Sequence, residues 1–334
     1  MSEAVQRVLV VGVGSIGERH LRCFQAAAPC RMGLVEPFEA RRNEVADRYG
    51  VVDRFASLDE ACRQEWDAAV ICTPAHLHVD HGVQLAPHCR SLLIEKPLST
   101  KREDVPRLRA AVGAKPVQIA YLYRVHPAVE AVRKLIQSGE LGPILQLTIT
   151  AGQHFPTYRP AYREIYYNDR RTGGGAIQDA VTHLANAAHY LVGRFDWVFA
   201  DYGHQSLPGV TVEDTVHITA RAANEKVLVS LSLNQFMAPN ETVIQVNCER
   251  GSAQIRTPEH RWGVFRFGDS AWQWSEPAFV ERDDWFTLQA RRFLAVAAGR
   301  EPPTCTLDEG LHTLDINLAA LESAGTRRIE LPCG

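Results

Sequence analysis

Apolar positions follow two different patterns along the chain, and the change comes at about Ile144. Before it, short apolar runs alternate with stretches in which apolar residues such as Leu21 and Phe24 recur at helical spacing. The runs are "RVLVVGVG", "RMGLVEP", "DAAVICTP", "SLLIEKP" and "KPVQIAYLYR". Strands that alternate with helices are typical of a parallel, doubly wound α/β sheet, and we predict such a sheet here.

From "ILQLTITAGQH" onward, strand-like runs follow one another with turn residues rather than helices between them: "DTVHITARA", "KVLVSLSLNQF", "ETVIQVNCE" and "SAQIRTPE". Strands joined in this way pair mostly antiparallel. The exception is "GGGAIQDAVTHLANAAHYLVG", whose apolar spacing predicts a helix that Gly193 ends. We therefore predict an α/β domain over residues 1–121 and an α+β domain over residues 122–334.

The first predicted strand leads into a glycine pattern. Gly12, Gly14 and Gly17 form G-x-G-x-x-G between a strand and a helix, and Ser15 and Ile16 lie inside it. The first glycine permits a tight turn, the second lets a pyrophosphate approach the backbone, and the third lets helix and strand pack closely. The helix N-terminus then faces the phosphates with unpaired N–H groups. We predict that these five residues bind a dinucleotide.

Glu36 ends the second predicted strand, about twenty residues beyond the glycines, where an acid can accept hydrogen bonds from the adenosine ribose. This position favours NAD over NADP. Arg41 and Arg42 lie close by and leave two alternatives open. They either meet a 2′-phosphate, which would favour NADP, or form a solvated helix face.

Ligands of doubly wound sheets bind beyond the carboxyl ends of the strands, and polar groups follow two of the predicted strands there. Thr73 and Pro74 close one, and "LLIEKP" delivers Glu95 and Lys96 at the end of another. A Glu-Lys pair can be purely structural. Here the next residue is proline, which restricts Lys96 to an extended backbone, as the rim of an active site requires.

Composition excludes several classes of protein. The 334 residues are 46% apolar with a formal net charge of −3, so there is no basic excess for nucleic acid. The apolar run at the N-terminus is too short for a signal segment or a bilayer span, which predicts a cytoplasmic protein without a membrane partner. The eight cysteines include no C-x-x-C pair. The histidines His76, His78, His81 and His88 fit one helical face poorly, and we predict no metal.

Five stretches resemble the Gfo/Idh/MocA superfamily, named after glucose-fructose oxidoreductase and inositol dehydrogenase. They are "GVGSIGERH", "ICTPAHLHVDH", "LLIEKPLS", "YLYRVHPAVEAVRKLIQSGELGPI" and "TGGGAIQDAVTHLANAAHYLVG", in family order over roughly the first 195 residues. The resemblance implies an N-terminal Rossmann domain, a C-terminal domain with an open, mostly antiparallel sheet, and a cis Lys96–Pro97 peptide. It also implies a homo-dimer or homo-tetramer that buries one sheet face.

The resemblance also implies roles for individual residues. Asp179 and His183 fit the family pattern D-x-x-x-H, in which the acid binds substrate and the histidine is the acid/base partner of Lys96. Judged by the residues alone, two positions four apart share a helix face, and a histidine on an otherwise apolar helix is more often a core residue than a catalyst. The implied cofactor contacts beyond the glycine loop and Glu36 are Thr73, Pro74, His78, Glu95 and Lys96. The implied substrate contacts are Lys96, Tyr123, Arg124, Tyr158, Arg159, Arg163, Asp179 and His183.

Tyrosines and arginines crowd residues 153–172, just before the predicted helix. Two interpretations stay open: a rim that binds sugar hydroxyls, a carboxylate or a phosphate, or a subunit interface. The stretch resembles family members of surface-polysaccharide and amino-sugar pathways, which hints at a nucleotide-linked or acidic sugar.

These observations predict an NAD(P)-dependent oxidoreductase that moves a hydride between nicotinamide and a secondary alcohol or ketone of a sugar, sugar derivative or polyol. One alternative is a glycoside hydrolase or lyase that uses NAD for transient redox, and net release of NADH separates the two. Another is a non-catalytic dinucleotide-binding sensor. The presence of Lys96, Asp179 and His183 together speaks against the sensor.

Overall fold

The computed structural model describes residues 5–164, 166–278 and 281–326, and the chain divides into two compact units. The first comprises the described residues of Met1–Val125 and Val280–Leu311, and the second those of His126–Phe279 and His312–Gly334. Among the described residues, no helix is both long enough and apolar enough to cross a membrane.

The strands are β1 Gln6–Val11, β2 Cys30–Val35, β3 Asp53–Phe55, β4 Ala68–Ile71, β5 Leu92–Ile94, β6 Val117–Ile119, β7 Ile144–Gly152, β8 Phe195–Gly203, β9 Thr215–Ala222, β10 Val227–Asn234, β11 Glu241–Cys248, β12 Gly251–Arg256, β13 Arg261–Arg266 and β14 Gln273–Trp274. The α-helices are α1 Ser15–Ala27, α2 Glu39–Tyr49, α3 Leu58–Ala61, α4 His78–Leu85, α5 Val105–Val112, α6 Pro127–Gln137, α7 Phe155–Tyr158, α8 Thr182–Val192, α9 Arg282–Ala297 and α10 Leu307–Thr326.

The first unit contains a six-stranded sheet in the order β3-β2-β1-β4-β5-β6, with every neighbouring pair parallel. The last four residues of β1 and all of β4 are apolar and buried, as expected of strands covered on both faces. The carboxyl ends of β1, β2, β4 and β5 therefore share one edge of the sheet. This is the predicted doubly wound Rossmann arrangement, and that prediction is confirmed.

Helix α9 belongs to the first unit although it lies far along the chain. Its residues Phe293 and Leu294 share one apolar core with Leu21 and Phe24 of α1. The two units thus differ from the predicted domains, which placed all residues from 122 onward in the second domain. The difference arises because the apolar face of a helix does not reveal from sequence which other helix it will cover.

The second unit contains an eight-stranded sheet in the order β14-β13-β12-β11-β7-β10-β9-β8. Neighbours are antiparallel except β7 and β10, which run parallel, so the mostly antiparallel prediction is confirmed. Along β10 the residues alternate strictly: Val229 and Leu231 are buried, whereas Leu228 and Ser230 are exposed.

The alternation changes the argument for oligomerisation. The apolar content of "KVLVSLSLNQF" and "ETVIQVNCE" favours a sheet face that a partner subunit covers. Most apolar side chains of these strands are buried within the unit, and the opposite face carries a ladder of side-chain amides. In this ladder Gln254 donates to Gln245 at 2.8 Å, and Gln245 donates to Asn247 at 2.8 Å. The same face also carries the exposed apolar side chains of Trp197, Phe199 and Leu228, and the oligomeric state stays a prediction.

The predicted helix over "AIQDAVTHLANAAHYL" forms in two parts. Ile177–Val181 is a π-helix and Thr182–Val192 is α8, which Gly193 caps with φ +96°. The start of the π segment is held from outside the helix, because the buried carboxylate of Glu213 accepts the N–H of Ile177 at 3.0 Å. Short π segments often mark functional positions, and this one carries Asp179.

Candidate active site

The glycine loop has the geometry that each of its three glycines predicts. Gly12 has φ +81°, a conformation that other residues rarely adopt, and its N–H donates to the carbonyl of Val35 at 2.9 Å. A Cβ on Gly17 would lie 1.8 Å from the oxygen of Gly12, whereas a Cβ on Gly14 would meet nothing within 4 Å. Gly17 therefore permits the close packing of α1, and Gly14 leaves the space above the loop open.

A cavity of about 690 Å³ opens beside this loop, within the first unit. Its wall comes from the ends of β1, β2 and β4 and from the segments that follow them, including Gly12, Gly14, Glu36, Phe38, Arg41, Thr73, Pro74, Leu77 and His81. A glycine loop without side chains, a helix N-terminus and an acid at the end of β2 fit the phosphates and ribose of a dinucleotide.

Glu36 is buried at the edge of this cavity. Its Oε2 accepts the N–H of Val13 at 3.2 Å and its Oε1 accepts the N–H of Phe38 at 3.2 Å, so the carboxylate is fixed by the main chain. The two neighbouring arginines differ. Arg42 donates to the carbonyl of Glu36 at 2.8 Å, whereas the half-exposed Arg41 lines the cavity with Nη1 3.8 Å from Glu36 Oε2. Of the two, only Arg41 remains a candidate for contact with a 2′-phosphate.

His78 lies beneath the loops that follow β4 and β5. Its Nε2 is 2.7 Å from the carbonyl oxygen of Thr73 and its Nδ1 is 2.9 Å from that of Pro97. Burial lowers the pKa of His78. Thr73 also faces His81, with Oγ1 3.0 Å from Nδ1. Within the described part of the chain, no three His, Cys, Asp or Glu side chains lie close enough together to hold a metal ion.

Glu95 and Lys96 follow β5 directly. Glu95 is buried, with Oε1 2.7 Å from Nε2 of His20, and Oε2 accepts the N–H of Lys96 at 3.0 Å. Burial raises the pKa of Glu95, but the hydrogen bond and charge of His20 and the charge of Lys96 outweigh it, so the pKa lies below its ordinary value. Lys96 is half-buried, and the Lys96–Pro97 peptide is cis, as the resemblance implied.

His20 was missed from the sequence as a site residue. It lies inside the quoted stretch "GVGSIGERH", eight positions after Gly12, but nothing in the local pattern says which side chain it will meet. Its partner Glu95 is 75 residues away along the chain.

In the second unit, Asp179 is held by two side chains from the Tyr/Arg-rich segment. Its carboxylate accepts the hydroxyl of Tyr166 at 2.6 Å and Nη1 of Arg159 at 3.3 Å, and Asp179 itself is only 2% exposed. The charge of Asp179 raises the pKa of Arg159. His183 is half-buried four residues further on, on the same side of the helix. Tyr166 belongs to the Tyr/Arg-rich stretch that was predicted as a rim or an interface, but it was not among the predicted substrate contacts.

Other side chains of the Tyr/Arg-rich segment make contacts away from Asp179. Tyr162 and Tyr167 are buried in a small aromatic core with Phe155. Arg163 donates its Nε–H to the carbonyl of Pro208 at 2.7 Å. Tyr158 is 52% exposed at the surface. The segment thus includes side chains that build a local core, side chains that reach Asp179, and the surface side chain of Tyr158.

Tyr123 and Arg124 lie on a 3₁₀ turn, Leu122–Val125, of the first unit. Tyr123 is half-buried, and Arg124 is buried and paired with Glu309. Burial raises the pKa of Glu309, but the charge and hydrogen bond of Arg124 outweigh this effect. The pKa of Glu309 therefore lies below its usual value. This ion pair gives Arg124 a structural partner, and the structure adds no support for a substrate contact there.

Two family models match the chain. Residues 6–123 match "Oxidoreductase family, NAD-binding Rossmann fold", and residues 129–254 match "GFO/IDH/MocA C-terminal domain". The inositol 2-dehydrogenase of Rhizobium meliloti strain 1021 is 24% identical over 288 residues, which are 78% of this chain and 84% of the relative. A levoglucosan dehydrogenase of Pseudarthrobacter phenanthrenivorans is 28% identical over 211 residues, 57% of this chain and 52% of the relative.

Solved structures share the fold over nearly the whole chain. Levoglucosan dehydrogenase in complex with NADH and levoglucosan superposes with a TM-score of 0.86 at 23% identity, covering 97% of this chain and 98% of that one. The WlbA dehydrogenase from Bordetella pertussis in complex with NADH and UDP-GlcNAcA gives 0.81 at 22% identity, covering 99% and 100%. At these identities the likeness establishes the fold.

Proposed function

Because the chain belongs to the Gfo/Idh/MocA family of NAD-binding oxidoreductases, we propose that it interconverts a secondary alcohol and a ketone on a sugar or polyol, with NAD as its cofactor. The observation that carries the proposal is the shared sheet edge of the first unit. There the glycine loop, the fixed carboxylate of Glu36 and the turn at Lys96 follow β1, β2 and β5 of one parallel sheet.

NAD, when bound, supplies the hydride acceptor, and NADH supplies the donor. The residues that would hold it are the cavity-lining Gly12 and Gly14, the helix start at Ser15 and Ile16, Gly17 behind them, and Glu36 at the ribose. Thr73 and Pro74 line the same cavity, and His78 supports their loop from beneath.

The chain's own residues would handle the substrate proton. Lys96 donates a hydrogen bond to the reacting oxygen and stabilises negative charge that develops on it, which can contribute a few kcal/mol. His183 takes the hydroxyl proton during oxidation and returns it during reduction, because histidine titrates near neutral pH. The carboxylate of Glu95 accepts the main-chain N–H of Lys96 and so fixes the backbone there.

Asp179 acts mainly through its two partners in this proposal. Its carboxylate is almost fully buried and accepts hydrogen bonds from Tyr166 and Arg159, which are themselves partly exposed: Tyr166 is 39% exposed and the Arg159 side chain 35%. We therefore assign the direct contacts with substrate hydroxyls to Tyr166 and Arg159. Asp179 orients both groups and balances the charge of Arg159.

Charge pairing in this segment favours an uncharged substrate. Arg159 pairs with Asp179, Arg170 with Glu213 at 2.7 Å, and Arg171 with Asp169 at 2.8 Å. A site built for a carboxylate or phosphate keeps cationic groups for the ligand. The pairing therefore speaks for a neutral sugar or polyol, like the inositol and levoglucosan in the names of the relatives, and against the acidic sugar suggested by sequence.

The test is an assay of the purified protein with NAD or NADP and a panel of inositols, levoglucosan, neutral hexoses and a UDP-linked uronic acid. We expect net formation of NADH, followed by absorbance, with at least one uncharged polyol and a preference for NAD. Product release without net NADH would instead favour a hydrolase or lyase. Tight NADH binding without turnover of any compound would favour a sensor.

We also propose that the protein works in the cytoplasm as a homo-dimer or homo-tetramer, on the basis of the family resemblance. Light scattering at micromolar concentration tests the assembly, and a stable monomer would contradict it.

A further inference from the structure

We infer that His20 is a positioning residue for Lys96, acting through the carboxylate of Glu95. The inference rests on the role proposed for Lys96 and adds a residue that this role depends on. His20 belongs to helix α1, behind the glycine loop, so the device would join the cofactor loop and the lysine turn within one unit.

The carboxylate of Glu95 bridges His20 and Lys96. Nε2 of His20 is 2.7 Å from Oε1 of Glu95, and Oε2 of the same carboxylate accepts the main-chain N–H of Lys96 at 3.0 Å. The main-chain N–H of Glu95 in turn donates to the carbonyl of Ile71 at 2.9 Å, which ties this point to β4. Glu95 is thus fixed at its backbone by the sheet and at its carboxylate by His20. The direction of the Lys96 N–H follows from both.

His20 itself has little freedom. It is 0% exposed, and its ring packs edge-on against Phe286 with centroids 5.3 Å apart and at a tilt against Phe24 at 6.3 Å. Among the described residues, its Nδ1 has no hydrogen-bond partner. An ionised carboxylate can only accept hydrogen bonds, so a proton of the ring belongs on Nε2, where it meets Glu95.

A purely structural role does not account for this pair. Leucine or phenylalanine could fill a fully buried position among aromatic rings without desolvating a carboxylate, which is costly even when hydrogen-bonded. Because Glu95 is kept ionised, both of its oxygens are acceptors, and it can hold His20 and the Lys96 N–H at the same time. The pair is explained if it fixes the geometry of the turn at Lys96, since a small misplacement of a catalytic group lowers the reaction rate strongly.

Three substitutions at one position test the inference. The side-chain amide nitrogen of glutamine reaches about as far as Nε2 of histidine, whereas that of asparagine reaches about as far as Nδ1. His20→Gln can therefore keep the hydrogen bond to Glu95, His20→Asn cannot, and His20→Ala removes the side chain. The measurements are kcat and KM, the Kd of NADH by fluorescence, thermal stability by circular dichroism, and hydrogen exchange of the Lys96 amide by NMR.

We expect His20→Asn and His20→Ala to lower kcat by about tenfold to a hundredfold, with the Kd of NADH nearly unchanged and faster exchange of the Lys96 amide. His20→Gln should recover most of both kcat and amide protection. The inference is overturned if glutamine and asparagine behave alike in kcat and exchange. It is also overturned if all three variants lose only thermal stability while the folded protein keeps its kcat.

Failure of the proposed function gives a different result. If Lys96→Ala kept its turnover, the role of Lys96 would be wrong, yet the exchange of the Lys96 amide in the His20 variants would still report whether His20 sets the turn. The exchange measurement needs neither substrate nor cofactor.

Discussion

The two units build their polar sites in different ways. In the first, the groups are main-chain N–H donors or buried carboxylates at strand ends. Both Glu36 and Glu95 accept main-chain N–H groups, and Glu95 also contacts His20. In the second, the long side chains of Tyr166 and Arg159 reach Asp179 from short helical turns and stay partly exposed. The first arrangement is fixed by the fold, whereas the second depends on a few side chains.

The difference follows from what each half would bind. A dinucleotide is the same molecule in every member of a family, so its site can be made from backbone. A substrate differs between members, and side chains on short turns can change without disturbing a sheet. Changes in specificity should therefore map to the second unit.

The largest expected effect tests whether the two sites serve one reaction. Lys96→Ala and His183→Ala should each lower turnover by about a hundredfold or more with NAD binding nearly intact, because acid/base groups typically contribute about 10²–10⁴. If both groups act on one oxygen, the double variant should lose less than the product of the single losses. Steady-state rates corrected for folded fraction by circular dichroism decide this. A His183→Ala enzyme that only loses thermal stability would make His183 a core residue.

Two glycines of the first unit should respond differently to substitution by alanine. Gly17→Ala places a methyl group 1.8 Å from a main-chain oxygen, and we expect it to cost about 1–3 kcal/mol of stability or more. Gly14→Ala meets nothing within 4 Å and should fold normally but bind NADH more weakly, since its methyl group enters the cavity side of the loop. Denaturation by urea and fluorescence titration measure the two effects. Equal stability of both variants would contradict this account of the loop.

The side-chain-built half should respond more mildly. Tyr166→Phe removes the hydroxyl that donates to Asp179, and we expect KM to rise several-fold with a smaller loss of kcat, in line with about 1 kcal/mol for a hydrogen bond. Tyr158→Phe is the matched control in the same segment, because Tyr158 is largely exposed. Steady-state kinetics of the two variants give the comparison. Equal effects would argue against a specific role for Tyr166.

The smallest expected effect concerns acid stability in the second unit. Burial, and then the charge of Arg194, lower the pKa of His312 to about 4, and its Nε2 accepts the N–H of Phe195 at 2.9 Å. As pH falls below about 6.5, the unfolded chain takes up this proton first, so stability declines until the folded pKa is reached. His312→Gln keeps an acceptor without titrating. Urea unfolding at pH 7.5 and pH 5 should show a shallower loss in this variant, and an unchanged slope would remove His312 as a cause.

Much of the first unit could be predicted from sequence because its signals are local. The spacing of Gly12, Gly14 and Gly17 and the acid at Glu36 are set by neighbours within one β-α-β unit. The same holds for the two sheets, whose strand patterns have a short period. The conformation of a turn or a strand end is determined mainly by the residues that form it.

The rest depends on partners far apart in the chain. The pairing of His20 with Glu95 and the packing of α9 on α1 join residues separated by long stretches, and neither residue's neighbours reveal its partner. Tyr166 could be placed in a candidate rim but not separated from the other tyrosines of its segment. Only the folded turn separates those in the aromatic core from the one that reaches Asp179.

Because α9 lies late in the chain, the first unit is completed late during synthesis. The core behind the glycine loop needs Phe293 and Leu294, which leave the ribosome after nearly all of the second unit has been made. A nascent chain that ends before α9 therefore exposes the apolar side chains of Leu21 and Phe24. The nucleotide-binding half is begun first during translation and completed late.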